Sequence, residues 1–388
     1  MKTLPDNPHL DHLRQQAKDL LAGLRDITPG ASLSDAQASL AQQYGFRTWT
    51  DLKSEVDQRR GQAEVADPAL ARALAEAYGL GAVTGQMRSL ARPDESGRRW
   101  SLETDQGRWA VRTMDTWFPI VDVETELALQ QAAAAKGVRL PTPVRSRSGA
   151  VVESIGGHTW RVYEWLHSGP PLVAPVSAKI TYQLGGILST IFGLGMPVDR
   201  LSPWAGARLS DVSWRELAAK AAVDRADWAP LLADVIPTLV DLEGIGEGLP
   251  APEPVLCFVP GPGNVSCGEN GSLVVDGWEH SHGLPPSWGL ADALMHWTID
   301  PGGGVNSAAA RAMVDGYRDA GGLPPLDLAS FRGAVTGLAN YVSGEVSEAL
   351  AATDEQDRRF RDRSVRHLLS HLPSRSKLEH LLDAALGS

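Results

Sequence analysis

The chain has 388 residues, 43% hydrophobic and 21% charged, which is typical of a soluble globular protein with a sizeable core. Its net charge of −11 excludes a reader of the nucleic-acid phosphate backbone, because such a surface must be basic. The 2 cysteines are too few for a secreted disulfide framework, and no stretch approaches the ~18 apolar residues of a membrane span. We therefore expect a cytoplasmic protein that binds neither nucleic acid nor membrane, and the sequence leaves its oligomeric state open.

Residues 1–62 predict a small helical module. The apolar residues of its first helix recur at helical spacing and form one stripe: Leu10, Leu13, Ala17, Leu20, Leu21 and Leu24. Residues 34–37 fit a capping box at the start of a second helix. A third helix carries its larger apolar residues on one side, at Trp49, Leu52 and Val56. The polar run 57–68 predicts a linker.

Residues 75–168 predict a β-rich lobe with one helix. Alternating apolar residues on both sides of a turn at 105–107 predict a hairpin, and Gly156 with Gly157 marks the turn of a second hairpin. Between the hairpins, the alanine-rich stretch 122–137 predicts a helix that ends at a glycine. We therefore expect a small antiparallel sheet accompanied by one helix.

Residues 169–388 predict a mainly helical lobe. A proline is expected to interrupt the helix predicted over 226–242. Residues 255–279 predict a short β-pair around a loop rich in proline and glycine. The fold class is therefore α+β and bilobal, with a three-helix domain in front of the two lobes. Ligands of such folds usually bind between the lobes.

Over residues 75–370 the chain resembles the aminoglycoside phosphotransferase and choline/homoserine kinase group. The resemblance is carried by WSLETDQGRWAVR, similar to the hairpin of its small lobe, and by ETELALQQAAAAKGVRLPTPV, similar to its helix and following turn. It is also carried by LCFVPGPGNV and GSLVVDGWEH, similar to its catalytic loop and metal-binding strand. The resemblance implies a protein-kinase-like fold, a small-molecule ligand, and ATP and Mg²⁺ as cofactors. The first 60 residues are similar to a small helical module found on unrelated bacterial proteins.

The catalytic motif of this group is His-x-Asp, four residues, Asn, and a second Asp roughly a dozen positions later. The resemblance implies that Asn264 and Asp276 hold the metal ion on the nucleotide phosphates. It implies that Arg112 stands where the group has its phosphate-gripping lysine. It also implies that Glu126 is the helix glutamate that holds this residue, with Glu124 as a nearby competitor.

The resemblance breaks down at the catalytic acid. Its position holds Val259, or Pro260 if one gap is allowed, and the histidine position holds Cys257 or Phe258. Residues 254–263 contain no Asp, Glu or His, so no alignment supplies the acid. An arginine in place of the lysine also changes phosphate binding, because a planar fork replaces a point charge. The resemblance therefore implies a degenerate catalytic loop.

Three hypotheses follow, and we favour the first. The first is a repurposed member of the group that binds a small molecule in the cleft and performs other chemistry or none. The second is an active ATP-dependent phosphotransferase for a small-molecule hydroxyl, with Asp276, Glu279 or His280 as the base. The third is a non-catalytic, pseudokinase-like interaction protein whose residues 1–60 recruit a partner.

Several side chains near this motif have alternative roles. Glu279, His280 and His282 are candidate ligands for a transition metal, although their spacing matches no zinc pattern. Cys257 is a candidate nucleophile, although a small buried thiol is the commoner role for such a residue. Trp165 is a candidate for stacking on a ring of the ligand in the cleft.

Overall fold

The computed structural model describes residues 2, 4–94, 97–115, 119–300 and 303–387. Within these ranges the helices are α1 (Leu10–Ile27), α2 (Leu33–Gln43), α3 (Trp49–Arg59), α4 (Pro68–Tyr78), α5 (Val123–Ala135), α6 (Ala178–Gly193), α7 (Pro203–Gly206), α8 (Trp214–Val223), α9 (Ala229–Glu243), α10 (Pro286–Thr298), α11 (Ser307–Gly321), α12 (Arg332–Ala351), α13 (Glu355–Ser370) and α14 (Arg375–Leu386). None of these helices combines the length and the apolar character needed to cross a membrane.

The strands of the described ranges are β1 (Arg88–Asp94), β2 (Gly97–Thr104), β3 (Gly107–Thr113), β4 (Pro143–Val144), β5 (Val152–Ile155), β6 (His158–Glu164), β7 (Ser168–Pro171), β8 (Val255–Cys257), β9 (Val265–Gly268), β10 (Leu273–Val275) and β11 (His282–Leu284). Strands β1 to β6 form one antiparallel sheet, which is followed by the mainly helical part of the chain. The fold is α+β, with a three-helix domain before the sheet, as the sequence predicted.

The N-terminal domain, α1 to α3, folds around its own apolar core. Leu13 and Leu20 of the predicted stripe are buried against Leu40 of α2 and Leu52 of α3. The prediction of a capping box at 34–37 was wrong by two residues. The cap is Ser32, whose hydroxyl accepts from the backbone of Asp35 while the Asp35 carboxylate accepts from the backbone of Ser32.

The large sheet has the strand order β1-β2-β3-β6-β4, with β5 paired to the edge of β6. Both predicted hairpins are present, as β2–β3 and β5–β6. Leu102, Val111 and Val162 face helix α4, which covers one side of the sheet through Leu74 and Tyr78. Sequence analysis missed α4, although Asp67 followed by Pro68 is a common helix start.

The segment predicted as one β-pair forms two. Strand β8, before the proline-glycine loop, pairs with β11, and strand β9, after the loop, pairs with β10. Strand β7 also pairs with β9, so the segment leaving the large sheet is tied directly to the loop region. This second sheet places the end of β10 opposite the large sheet.

Helix α9 corrects another expectation. The proline at its centre, Pro237, does not interrupt it, and the helix continues from Ala229 to Glu243. Leu232 and Leu239, on either side of the proline, are both buried in the core shared with α8, α12 and α13. Packing on both sides therefore outweighs the local loss of a backbone hydrogen bond.

Candidate functional site

A cavity of about 290 Å³ lies between the large sheet and the β9–β10 pair. We call it the cleft. Polar and aromatic side chains line much of it: His12, Arg99, Trp100, Arg112, Tyr163, Glu164, Trp165, Asn264 and Asp276. The structure thus brings four of the predicted site residues together: Arg112, Trp165, Asn264 and Asp276. Three others lie outside the described lining: Glu126, Glu279 and His280.

Asp276 follows the buried strand β10 and is held by two arginines of the large sheet. Its Oδ2 accepts from Nη1 of Arg99 at 3.1 Å and from Nη2 of Arg112 at 3.3 Å. Its Oδ1 accepts from the backbone N–H of Gly277 at 2.8 Å. Burial opposes ionisation, but the charges of Arg112 and Arg99 outweigh it and hold the pKa of Asp276 below its usual value.

These arginines belong to a row that crosses three strands. Arg99 on β2 lies opposite Arg112 on β3, and Arg112 lies opposite Arg161 on β6. We call these three residues the arginine row. Arg112 also contacts the carboxylate of Glu279, and both side chains are buried. Glu279 is therefore engaged in an ion pair behind the cleft.

The predicted helix glutamate, Glu126, supports the arginine row at its far end. Its carboxylate accepts from Nη1 of Arg161 at 2.6 Å and from Nη2 at 2.9 Å, and neither side chain is more than 1% exposed. The expected partnership with Arg112 is thus replaced by one with the neighbouring arginine. Its competitor Glu124 pairs with Arg145 at the surface.

Asn264 closes the short 3₁₀ turn Pro262–Asn264 and faces the backbone of Gly277. Its backbone carbonyl oxygen accepts from the backbone N–H of Asp276 at 2.8 Å. Gly277 has φ of +92°, and a Cβ atom there would lie 2.4 Å from Nδ2 of Asn264. A side chain at this position would therefore strain the backbone and press against the amide of Asn264.

The positions expected to carry the catalytic histidine and acid hold residues that pack against their neighbours. Cys257 is buried, which raises the pKa of its thiol, and its Sγ donates to the carbonyl of His282 at 3.5 Å. The ring of Phe258 packs 5.4 Å from that of Trp278. The carbonyl of Pro260 accepts from the indole of Trp297 at 2.8 Å. Cys257 is therefore a structural thiol, and the loop offers no proton-transfer group of its own.

Two buried donors of the cleft have no hydrogen-bond acceptor in the described part of the chain. They are the indole N–H of Trp100 and the hydroxyl of Tyr163, with the side chains 6% and 5% exposed. Burial raises the pKa of Tyr163, which keeps it a phenol. Unsatisfied buried donors are costly, so a ligand group is the natural partner for them. Trp165, by contrast, is stacked by Arg108, whose guanidinium carbon lies 3.7 Å from the ring centroid.

Comparison with known proteins gives the family. The model of the phosphotransferase enzyme family (APH) matches residues 89–323. The chain belongs to this family. The homoserine kinase of Methylobacterium nodulans is 27% identical over 270 residues, which cover 69% of this chain and 81% of that protein. The homoserine kinase of Xanthobacter autotrophicus is 28% identical over 255 residues, or 64% and 76%.

Solved structures of the phosphotransferase family share the fold. Spectinomycin phosphotransferase in complex with ADP and spectinomycin has a TM-score of 0.61 at 14% identity, over 83% of this chain and 98% of its own. Amicoumacin kinase in complex with AMP-PNP and Ca²⁺ has a TM-score of 0.52 at 13% identity, over 84% and 99%. Likeness at such low identity shows the fold alone, and it confirms the predicted protein-kinase-like architecture.

The donors at Asp276 do not fit the Mg²⁺ ion that the family resemblance implies. Mg²⁺ binds oxygen donors in octahedral geometry. In this carboxylate, Oδ2 already accepts from two guanidinium groups and Oδ1 accepts from a backbone N–H. Unit charges ~4 Å apart interact by roughly 4 kcal/mol near a protein surface, and a dication beside two arginines would be repelled by each. The described residues also hold no group of three His, Cys, Asp or Glu side chains suited to a metal. The alternative of a transition-metal site at Glu279, His280 and His282 is therefore not supported.

Of the nine polar and aromatic lining residues named above, sequence analysis missed five: His12, Arg99, Trp100, Tyr163 and Glu164. A signal for Arg99 was present, because counting outward from the turn at 105–107 places it opposite Arg112. Tyr163 lies two positions from Arg161 on β6, with the guanidinium carbons of Arg112 and Arg161 at 5.9 and 5.1 Å from its ring. Nothing in the sequence alone indicates which face of β6 meets the cleft.

Proposed function

We propose that this phosphotransferase-family protein binds a small anionic molecule in its cleft without Mg²⁺. Adenine nucleotides are the first class to test, and phosphoryl transfer is not expected at ordinary enzyme rates. The observation that carries the proposal is the double engagement of Asp276 by Arg99 and Arg112, at 3.1 and 3.3 Å. These fixed guanidinium charges lie against the carboxylate that the family resemblance assigns to the metal ion. The two free cysteines support a cytoplasmic location.

The absence of a general base from the catalytic loop supports the same proposal. Residues 254–263 contain no side chain that takes up a proton at neutral pH, and Glu279 is buried against Arg112. Asp276 is the remaining carboxylate at the end of β10, and its low pKa makes it a weak proton acceptor. A positioned base contributes typically ~10²–10⁴-fold to a rate, so its loss leaves binding intact while slowing transfer.

Isothermal titration calorimetry with ATP, in EDTA and in Mg²⁺, tests the proposal. We expect the two Kd values to differ by less than tenfold, or ~1.4 kcal/mol. Arg99→Ala should weaken binding in EDTA by roughly tenfold or more, because a charge-assisted contact is lost. Arg145→Ala, which removes an exposed arginine outside the described lining of the cleft, is the matched control.

Either of two results would contradict the proposal. One is that ATP binds in neither buffer, or needs Mg²⁺ by more than roughly a hundredfold, ~2.8 kcal/mol. The other is release of ADP at the ~1–10³ s⁻¹ typical of enzymes when Mg-ATP is supplied with hydroxylated substrates.

A second candidate function is ATP-dependent phosphorylation of a small-molecule hydroxyl. The observation that favours it is that both curated relatives, at 27% and 28% identity, are homoserine kinases. The turnover assay decides between the two candidates if homoserine is included among the hydroxylated substrates. Rapid ADP release with homoserine would support the second candidate and remove the first.

A further inference from the structure

A second cavity, of about 280 Å³, lies between the N-terminal domain and the segment that leaves the large sheet. We call it the N-terminal chamber. It shares five residues with the cleft, so the two cavities adjoin: His12, Arg99, Pro170, Pro171 and Gly263. Gly263 precedes Asn264 in the loop, which places the chamber directly beside the predicted reacting end of the cleft.

Four basic side chains line the N-terminal chamber. They are Lys2, His9, His12 and Arg99, and the described lining contains no Asp or Glu. Lys2 Nζ donates to the carbonyl of Leu172 at 3.1 Å, and burial lowers the pKa of Lys2 to about 8. Burial, together with the charge of His9, also lowers the pKa of His12. At neutral pH the lining therefore offers the charged Lys2 and Arg99 together with imidazole N–H donors, a set suited to an anionic ligand.

Among the nearby acids, Asp276 pairs with Arg99 at 3.1 Å, while those beside the N-terminal domain have other partners. Asp11 lies 3.5 Å from Nδ1 of His9, but it is exposed and its carboxylate also pairs with Arg14 at 2.8 Å. Asp6 accepts from the hydroxyl of Ser89 at 2.6 Å and does not belong to the lining. The uncharged polar residues there are engaged with one another, since Gln16 accepts from the hydroxyl of Tyr44 at 3.1 Å.

We propose that the N-terminal chamber is a subsite for a carboxylate or phosphate carried by the molecule that occupies the cleft. The inference rests on the proposed function in that it assumes a small anionic ligand in the cleft. Arg99 links the two cavities, because it holds Asp276 on one side and lines the chamber on the other. A ligand that extends past Gly263 therefore places its anionic end among Lys2, His9 and His12. The N-terminal domain thereby forms one wall of the binding site.

Equilibrium dialysis of inorganic pyrophosphate against the full chain in EDTA tests the chamber, with malonate in a parallel arm to separate phosphate from carboxylate. His9→Glu/His12→Glu should raise the Kd of the bound anion roughly tenfold or more, because two imidazoles become carboxylates. The control is His371→Glu/His380→Glu, two exposed histidines far along the chain with the same formal change. This control should bind like the wild type, and melting temperatures of all three proteins confirm that they fold.

The inference is overturned if neither anion binds the wild type at millimolar concentration, or if all three proteins bind it equally. ATP binding in EDTA, measured on the same samples, separates this result from failure of the proposed function. ATP binding with equal pyrophosphate affinity overturns the chamber alone. The opposite outcome is also possible. If the wild type binds pyrophosphate or malonate but not ATP, and the His9→Glu/His12→Glu variant binds neither anion, the chamber is supported and nucleotide binding is overturned.

Discussion

At the scale of single residues, the arginine row is the feature that most needs explanation. Like charges directly opposite each other on neighbouring strands destabilise a sheet, yet Arg112 faces Arg99 on one side and Arg161 on the other. Acids from outside the sheet compensate them: Asp276, Glu279 and Glu126. The two members Arg112 and Arg161 are 4% and 0% exposed, so their charges are stable only while these acids are present.

We predict that Glu126→Gln destabilises the protein strongly. The change leaves Arg161 buried with no full countercharge, and breaking a buried ion pair costs ~3–5 kcal/mol. Glu124→Gln, on the same helix, is the matched control, and its exposed pair with Arg145 should give no measurable change. Urea denaturation followed by circular dichroism measures both. Equal midpoints for the two variants would show that the Glu126 pair does not stabilise the fold.

Sequence patterns predicted some of the cleft residues but not the side chains that pair with them. Arg112, Asn264 and Asp276 were predicted as parts of one site, and the structure places all three in the cleft. The acid partner of Arg161 was not predictable, because it comes from helix α5 and depends on how that helix lies across the sheet. Arg99 was within reach, because the hairpin turn fixes its partner on β3.

At the scale of elements, local signals predicted helices and hairpins well and pairings poorly. The three N-terminal helices and both hairpins follow from apolar period and turn glycines. The pairing of β8 with β11 could not be predicted, because 24 residues separate Cys257 from the start of β11 at His282. Sequence distance of this kind leaves several partners equally compatible with the same apolar run. The turn after β10, which follows Asp276, contains a glycine in the left-handed region, Gly277.

We predict that Gly277→Ala harms both stability and ligand binding. Its φ of +92° is strained for alanine, which costs ~1–2 kcal/mol. The new Cβ would also lie 2.4 Å from Nδ2 of Asn264, so the amide would have to move. Gly271→Ala is the matched control, with φ of +74° and no atom within 4 Å. The control should therefore lose stability through backbone strain alone and keep its affinity for ATP. Denaturation and calorimetry on both variants test this, and equal losses in both would refute a role for the close approach to Asn264.

At the scale of the whole molecule, the N-terminal domain is tied to both lobes. Side chains of α1 and α2 donate to the segment after the large sheet, Gln16 to the carbonyl of Pro171 at 2.8 Å and Gln43 to that of Ala174 at 3.1 Å. Asp26 accepts from the first backbone N–H of α6 at 2.9 Å. Asp6 reaches the large sheet through Ser89. A domain held at both sides of the cleft restrains how far the lobes can separate, which sequence analysis could not predict.

Gly23 in α1 lies close to the backbone of the segment after the large sheet, and it allows a direct test of this attachment. A Cβ atom there would lie 2.3 Å from the carbonyl oxygen of Pro175, a backbone atom that cannot move aside alone. Gly23→Ala gains ~1 kcal/mol of helix propensity, but overpacking typically costs ~1–3 kcal/mol, so we expect a net loss. Hydrogen exchange should rise in α1 and in the segment around Pro175, and affinity for pyrophosphate should fall with it. Gly30→Ala, which adds the same methyl group where no atom lies within 4 Å, should leave exchange and affinity unchanged. If Gly23→Ala matches this control in both measurements, the N-terminal domain does not depend on this contact to form the wall of the site.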